Sequence, residues 1–129
     1  MSGDKDRAEL AAEFLAAFRD RDWDTLASLF APDIVWSMPG DGTISGTAEG
    51  AAAAVGRARE IAGRGIRTEL LHVLTGGHGV ALILRNTATA GDGRTLDEHL
   101  ATVLTMSEGK VTAIDSYLSD VPGMSAFFQ

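Results

Sequence analysis

Thr95 to Met106 reads TLDEHLATVLTM, Ser107 to Lys110 reads SEGK, and Val111 to Leu118 reads VTAIDSYL. The two outer runs are dense in β-branched and aliphatic residues, and the segment between them carries the glycine that a tight reversal uses. They predict two long strands that pair as a hairpin and end at Asp120. Working back along the chain, Val80 to Ala90 and Ile66 to Leu74 have the same character, with breaks at Gly91-Asp92-Gly93 and Gly76-Gly77. The helical patterns all come earlier, and this order predicts an α+β fold with a mainly antiparallel sheet. A curved, cone-shaped sheet wrapped around three helices of the N-terminal half is the expected architecture, with residues 1–129 as one domain.

Leu10, Phe14 and Phe18 recur every four residues with Ala11 and Leu15 beside them, which predicts a helix from about Asp6 to Arg19. Asp22 stands as an N-cap before Trp23, Leu26, Leu29 and Phe30, so a second helix should run to about Phe30 and stop at Ala31-Pro32. Ile34 to Met38 reads as a short strand ended by Pro39-Gly40-Asp41-Gly42, and Ala48 to Ile61 as a third helix weakened by Gly50 and Gly56.

Composition narrows the function classes. The chain has no cysteine, which excludes disulfides, thiolate metal sites and a cysteine nucleophile. The N-terminal Met1-Ser2-Gly3-Asp4-Lys5-Asp6 is charged and no apolar run approaches the roughly 18 residues of a membrane span, so a cytoplasmic protein is expected. A net charge of −7 with scattered basic residues argues against nucleic acid or an anionic membrane as partner. Arg57, Arg59, Arg64 and Arg67 are the nearest approach to a cluster, and they span the end of a helix, where cations complement the dipole. His78 sits in a Gly-rich hairpin and His72 on a strand with no acidic neighbour at ligand spacing, so no zinc site is expected, and the chain is expected to work without a cofactor.

Several segments resemble the nuclear transport factor 2-like superfamily, in its SnoaL-like and ketosteroid-isomerase-like branch. They are Asp22-Trp23-Asp24-Thr25-Leu26, Leu29 to Asp33, Val35 to Gly40, Ile44 to Thr47, and Gly109-Lys110-Val111 leading to Tyr117 and Asp120. The resemblance implies a cystatin-like α+β barrel with a deep cavity, and a homodimer formed through the outer face of the sheet. It also implies an activity among isomerases, polyketide cyclases and dehydratases, or a binding protein with the same pocket. The isomerase positions for a general base, a helical tyrosine and a second aspartate fall on Met38, Phe14 and Thr102 or Ala101. The cyclase histidine and aspartate fall on Thr102 and Ser116. Methionine and phenylalanine neither transfer protons nor donate to an oxyanion, so standard steroid isomerisation is not expected.

Strand alternation puts Glu98, Leu100, Thr102, Leu104 and Met106 on one face and Asp97, His99, Ala101 and Val103 on the other. In the last strand Ser116 and Leu118 fall on the face that the resemblance assigns to the cavity, with Asp115 and Tyr117 outside. Glu98 is then a carboxylate on an otherwise apolar face, and the leading candidate for acid–base work. If Asp92-Gly93 is a two-residue turn, Arg85 lies opposite Leu100 and diagonal to Glu98, where it would stabilise developing negative charge. A three-residue turn instead brings Asn86 opposite Glu98. His99 is the second catalytic candidate because histidine is the residue type suited to proton transfer near neutral pH without help, although facing inward would require a β-bulge. Phe14, Trp36, Met38, Ile83, Thr102, Ser116 and Leu118 are expected to line a pocket for an apolar small molecule.

Overall fold

The computed structural model describes residues 6–129, so the charged stretch 1–5 lies outside the described residues. Helix α1 (Arg7–Asp20) starts where the Asp6 carboxylate accepts from the Ala8 N–H, and ends at Arg21 in a left-handed conformation. Helix α2 (Trp23–Leu29) is capped by Asp22, whose side chain accepts from the Thr25 N–H and O–H. Strand β1 (Phe30–Met38) begins four residues earlier than the sequence suggests. Pro32 ends neither element; it sits inside β1, within a register irregularity between Phe30 and Val35 where no regular ladder bond is demanded of it.

Residues 46–49, expected to be loop and the start of a helix, form a short strand, β2 (Gly46–Glu49), followed by α3 (Ala51–Ala62). Its exposed pattern has no alternation that could have announced it; pairing with Val35–Met38 holds it. Then come β3 (Arg67–Thr75), β4 (Gly79–Thr89), β5 (Thr95–Ser107) and β6 (Lys110–Leu118). A final helix, α4 (Val121–Phe127), is not signalled by periodicity; the sequence offers only Phe127-Phe128, too apolar to hang in solvent, and Asp120 as a cap for the chain entering Pro122-Gly123, and Asp120 accepts from the Gly123 N–H at 3.0 Å.

The sheet runs β2-β1-β6-β5-β4-β3 and has two free edges, so it is an open curved sheet rather than a closed barrel. Every pairing is antiparallel except β1 with β6. The β5–β6 reversal has positive φ at Glu108 (53°) and Gly109 (75°), the combination of a two-residue primed turn. Gly79 opens β4 where any Cβ would run into the Leu104 carbonyl. The concave face packs Val80, Leu82, Leu104 and Ile114 against Leu10, Phe14 and Leu26 of the helices, each of them 5% exposed or less. Among the described residues no helix is long and apolar enough to cross a membrane.

Candidate functional site

The site grows out of the alternation in β5. Leu96, Glu98, Thr102, Leu104 and Met106 are buried on the concave face, whereas Asp97 and His99 are exposed on the convex one. Glu98 is 2% exposed. Its Oε2 accepts from the Ser119 O–H and the Asp120 N–H, each at 2.6 Å, and Ser119 Oγ in turn accepts from the His99 backbone N–H at 2.9 Å. Its other oxygen, Oε1, is buried with no hydrogen-bond partner. Leaving such an acceptor unsatisfied costs about 1–3 kcal/mol, which a packing role alone does not account for.

The β4–β5 turn decides what stands beside it. Ala90 N–H donates to the Arg94 carbonyl at 2.7 Å and Gly93, with φ of 91°, donates back to Ala90, so the loop is the three-residue Gly91-Asp92-Gly93. That register places Asn86, not Arg85, opposite Glu98. On the next strand Thr68 lies opposite Asn86 and donates its O–H to Asn86 Oδ1 at 2.7 Å. A polar row of Thr68, Asn86 and Glu98 therefore crosses β3, β4 and β5 on the cavity side.

A second polar spot lies four residues along β5, roughly 13 Å away at strand spacing. Thr102 and Ser116 are cross-strand partners, and Ser116 Oγ accepts from Trp36 Nε1–H at 3.0 Å while keeping its own proton to donate. Trp36 is fixed from behind by Arg57, which donates to its carbonyl at 2.8 Å and lies 5.6 Å from the ring centroid. Burial holds the Arg57 pKa below the ordinary arginine value, partly offset by Glu60. Between the two polar spots the lining is apolar, from Leu84, Leu100 and Leu118 on the sheet to Phe14 and Met38.

Helix α4 and the residue just past its end close one side of this cavity with Met124 and Phe128. Its carbonyl end is gripped by two arginines: Arg94 donates to Ala126 and Phe127 at 2.7 and 3.1 Å, and Arg64 to Phe127 and Gln129 at 3.2 and 3.4 Å. The Thr43 hydroxyl adds a bond to the Phe128 carbonyl at 2.6 Å. The cavity volume is about 60 Å³, well under the ~150 Å³ of an engineered cavity that takes benzene. A ring-sized ligand therefore needs neighbouring side chains to yield, and the unbranched Met38 and Met124 are lining side chains suited to re-packing.

The structure brings Glu98 together with Phe14, Trp36, Met38, Thr102, Ser116 and Leu118 around one cavity. Ile83 does not belong to it: it pairs with His72 and Ala101 on the convex face, and the inward residues of β4 are Leu82 and Leu84. Arg85 is also on the outside, where its guanidinium meets Asp97 at 2.9 and 2.8 Å, with side-chain exposures of 41% and 58%. The hydrogen bond between them raises the Arg85 pKa and lowers that of Asp97. His99 is exposed, and the β4–β5 ladder runs without interruption past it, so no bulge turns it inward. The residues missing from the sequence reading are Thr68 and Ser119 beside Glu98, and Met124 of α4. Only the length of the Gly91-Asp92-Gly93 turn could have pointed to the Thr68–Asn86–Glu98 row.

The SnoaL-like domain family matches residues 11–114. The chain is 25% identical over 131 residues to the uncharacterized protein Rv0034 of Mycobacterium tuberculosis, with 99% of each covered. Among solved structures it is similar to Bal32a from a soil-derived mobile gene cassette, at 31% identity with 95% and 96% of the two chains covered and a TM-score of 0.88. TerC co-crystallized with polyporic acid superposes with a TM-score of 0.81 at 23% identity, covering 95% and 97%; this second likeness is one of fold. With the family match spanning most of the chain and the helices packed into a curved sheet, the chain belongs to the SnoaL-like domain family.

Proposed function

We propose that this chain is a cofactor-independent enzyme of small-molecule metabolism, of the isomerase, cyclase or dehydratase type, in which Glu98 moves a proton on an apolar substrate held in the cavity. The observation that carries this reading is the free Oε1 of a carboxyl group that is 2% exposed, in a lining otherwise mostly hydrocarbon. Ser119 and Asp120 hold the carboxyl plane through Oε2, so Oε1 is oriented to take or give a proton rather than free to rotate away. The role assigned to Arg85 passes to neutral donors, since its guanidinium lies on the convex face. Thr102 and Ser116 are too far along the strand to touch the same reacting atom and would orient the far end of the substrate. Phe14 and Met38 leave no hydroxyl or carboxylate for steroid isomerisation of the familiar kind.

The same reading treats residues 1–129 as one cytoplasmic domain that pairs with a second copy through the convex face. Half-buried Ile83, Ala101 and Val103 and the 63% exposed Tyr117 supply an apolar patch for that contact. The test is exchange of α-protons of uncharged aryl ketones, 1-tetralone first, into deuterium oxide followed by NMR. Wild-type protein should accelerate exchange, and Glu98→Gln should lose about a hundredfold or more of that acceleration. Tight binding of the ketone with no acceleration would favour the second reading, a non-catalytic binding protein, which the absence of the family's usual acid–base residues supports.

A further inference from the structure

Asn86 and Glu98 oppose each other on the cavity side of the β4–β5 ladder, where directly opposed residues hold their Cβ atoms about 4.5–5.5 Å apart. An amide and a carboxyl group at that spacing are natural partners, yet Glu98 Oε1 accepts nothing. The other half of each group is already committed. Asn86 Oδ1 takes the Thr68 O–H, which turns the Nδ2 amide hydrogens away from Thr68. Glu98 Oε2 takes both Ser119 and Asp120. What remains is one donor and one acceptor side by side, unspent on each other, at the end of an apolar slot walled by Leu84, Leu96 and Leu100.

We propose that this pair recognises a flat, uncharged ring whose edge carries an N–H or O–H directly beside a carbonyl oxygen. The ring donor bonds Glu98 Oε1 and the carbonyl accepts from Asn86 Nδ2. Lactams and ring ketones with a vicinal hydroxyl belong to this class. Hydrocarbons and donor-free esters do not. Asn86 is then a specificity-determining residue and Thr68, which fixes the amide, a positioning residue. A net charge of −7 and the carboxyl group itself disfavour anionic ligands. The inference rests on the cavity being the ligand site, but it concerns recognition and needs no turnover.

The test uses three bicyclic probes of one shape on the full chain: 2-quinolone, with N–H beside C=O; coumarin, with O in place of N–H; and naphthalene, with neither. Titration followed by protein NMR should give 2-quinolone at least about tenfold tighter than coumarin, because coumarin leaves a buried acceptor unpaired. Asn86→Leu should weaken 2-quinolone by a similar factor without weakening naphthalene. Thr68→Val should weaken it less, and rescue by Thr68→Ser should restore it. Asn86→Asp keeps the shape and exchanges the donor for an acceptor, so it serves if the leucine variant does not fold. Equal affinity for 2-quinolone and coumarin, no saturable binding of 2-quinolone, or full selectivity retained without Asn86 overturns the proposal. Selective binding by a protein that exchanges no ketone protons would leave this inference standing and remove the catalytic one. Proton exchange without selectivity would do the reverse.

Discussion

Two polar pairs sit one residue apart on the same two strands and behave in opposite ways. On the convex face Arg85 and Asp97 lie diagonally across the ladder, reach each other through two hydrogen bonds and stay open to water. On the concave face Asn86 and Glu98 are directly opposed, and Glu98 Oε1 bonds to nothing. The outer pair satisfies itself in a solvent that would have satisfied each partner anyway, so it adds little. The inner pair has no such solvent, and its unused bonding capacity is meaningful only if something else enters. Burial, not residue type, separates a polar pair that water already satisfies from one whose bonding capacity is left open.

The largest loss should come from the inner face away from its polar row. Leu104 is fully buried, and Leu104→Ala should cost about 2–5 kcal/mol of unfolding free energy in a denaturant titration. Next comes Glu98→Gln, which preserves shape and the acceptor for Ser119 and Asp120. It should lower proton-transfer rate about a hundredfold or more, roughly 2.7 kcal/mol in barrier, while the melting temperature stays near wild type. If stability falls and rate does not, Glu98 is a structural group and the contrast between the faces collapses.

On the convex face, Val103→Asp should leave the chain folded and shift sedimentation from about twice the chain mass to the monomer, since it puts a charge into the proposed contact. A wild-type monomer at high micromolar concentration would remove that contact. The smallest effect should be Asp97→Asn. Its carboxylate pKa is lowered by the Arg85 hydrogen bond, so its stabilisation is present above the ordinary carboxylate range and disappears as pH falls through the depressed value. The variant should differ slightly from wild type at neutral pH and low salt, and not at all in acid or in high salt. A loss as large as that of Leu104→Ala would show that the outer pair is not screened as its exposure implies.

Much of the fold was legible because periodicity survives in one dimension. The β5 and β6 alternation, the Asp22 cap before Trp23 and the Glu108-Gly109 reversal all act within a few residues. Parity along β5 was enough to send Glu98 inward and His99 outward. Strand β2 left no trace because it is exposed on most of its length and exists by pairing with β1. Ile83 was misread for a different reason: both faces of β4 are apolar, so its alternation carries no contrast between Leu82, Ile83 and Leu84.

By itself the sequence determined the class of fold, the order of its elements, the absence of thiol chemistry and the one carboxylate that strand parity puts on the cavity face of β5. Only the tertiary structure decided what that carboxylate meets. The choice between Arg85 and Asn86 hung on whether the β4–β5 loop holds two residues or three, and a one-residue slip exchanges the two faces of a strand. Ser119, Asp120 and the clasped helix α4 reach the site from more than twenty residues away in the chain or across the cavity mouth. Contacts of that kind are fixed by how curved the sheet is and where the chain returns to it, which local patterning does not encode.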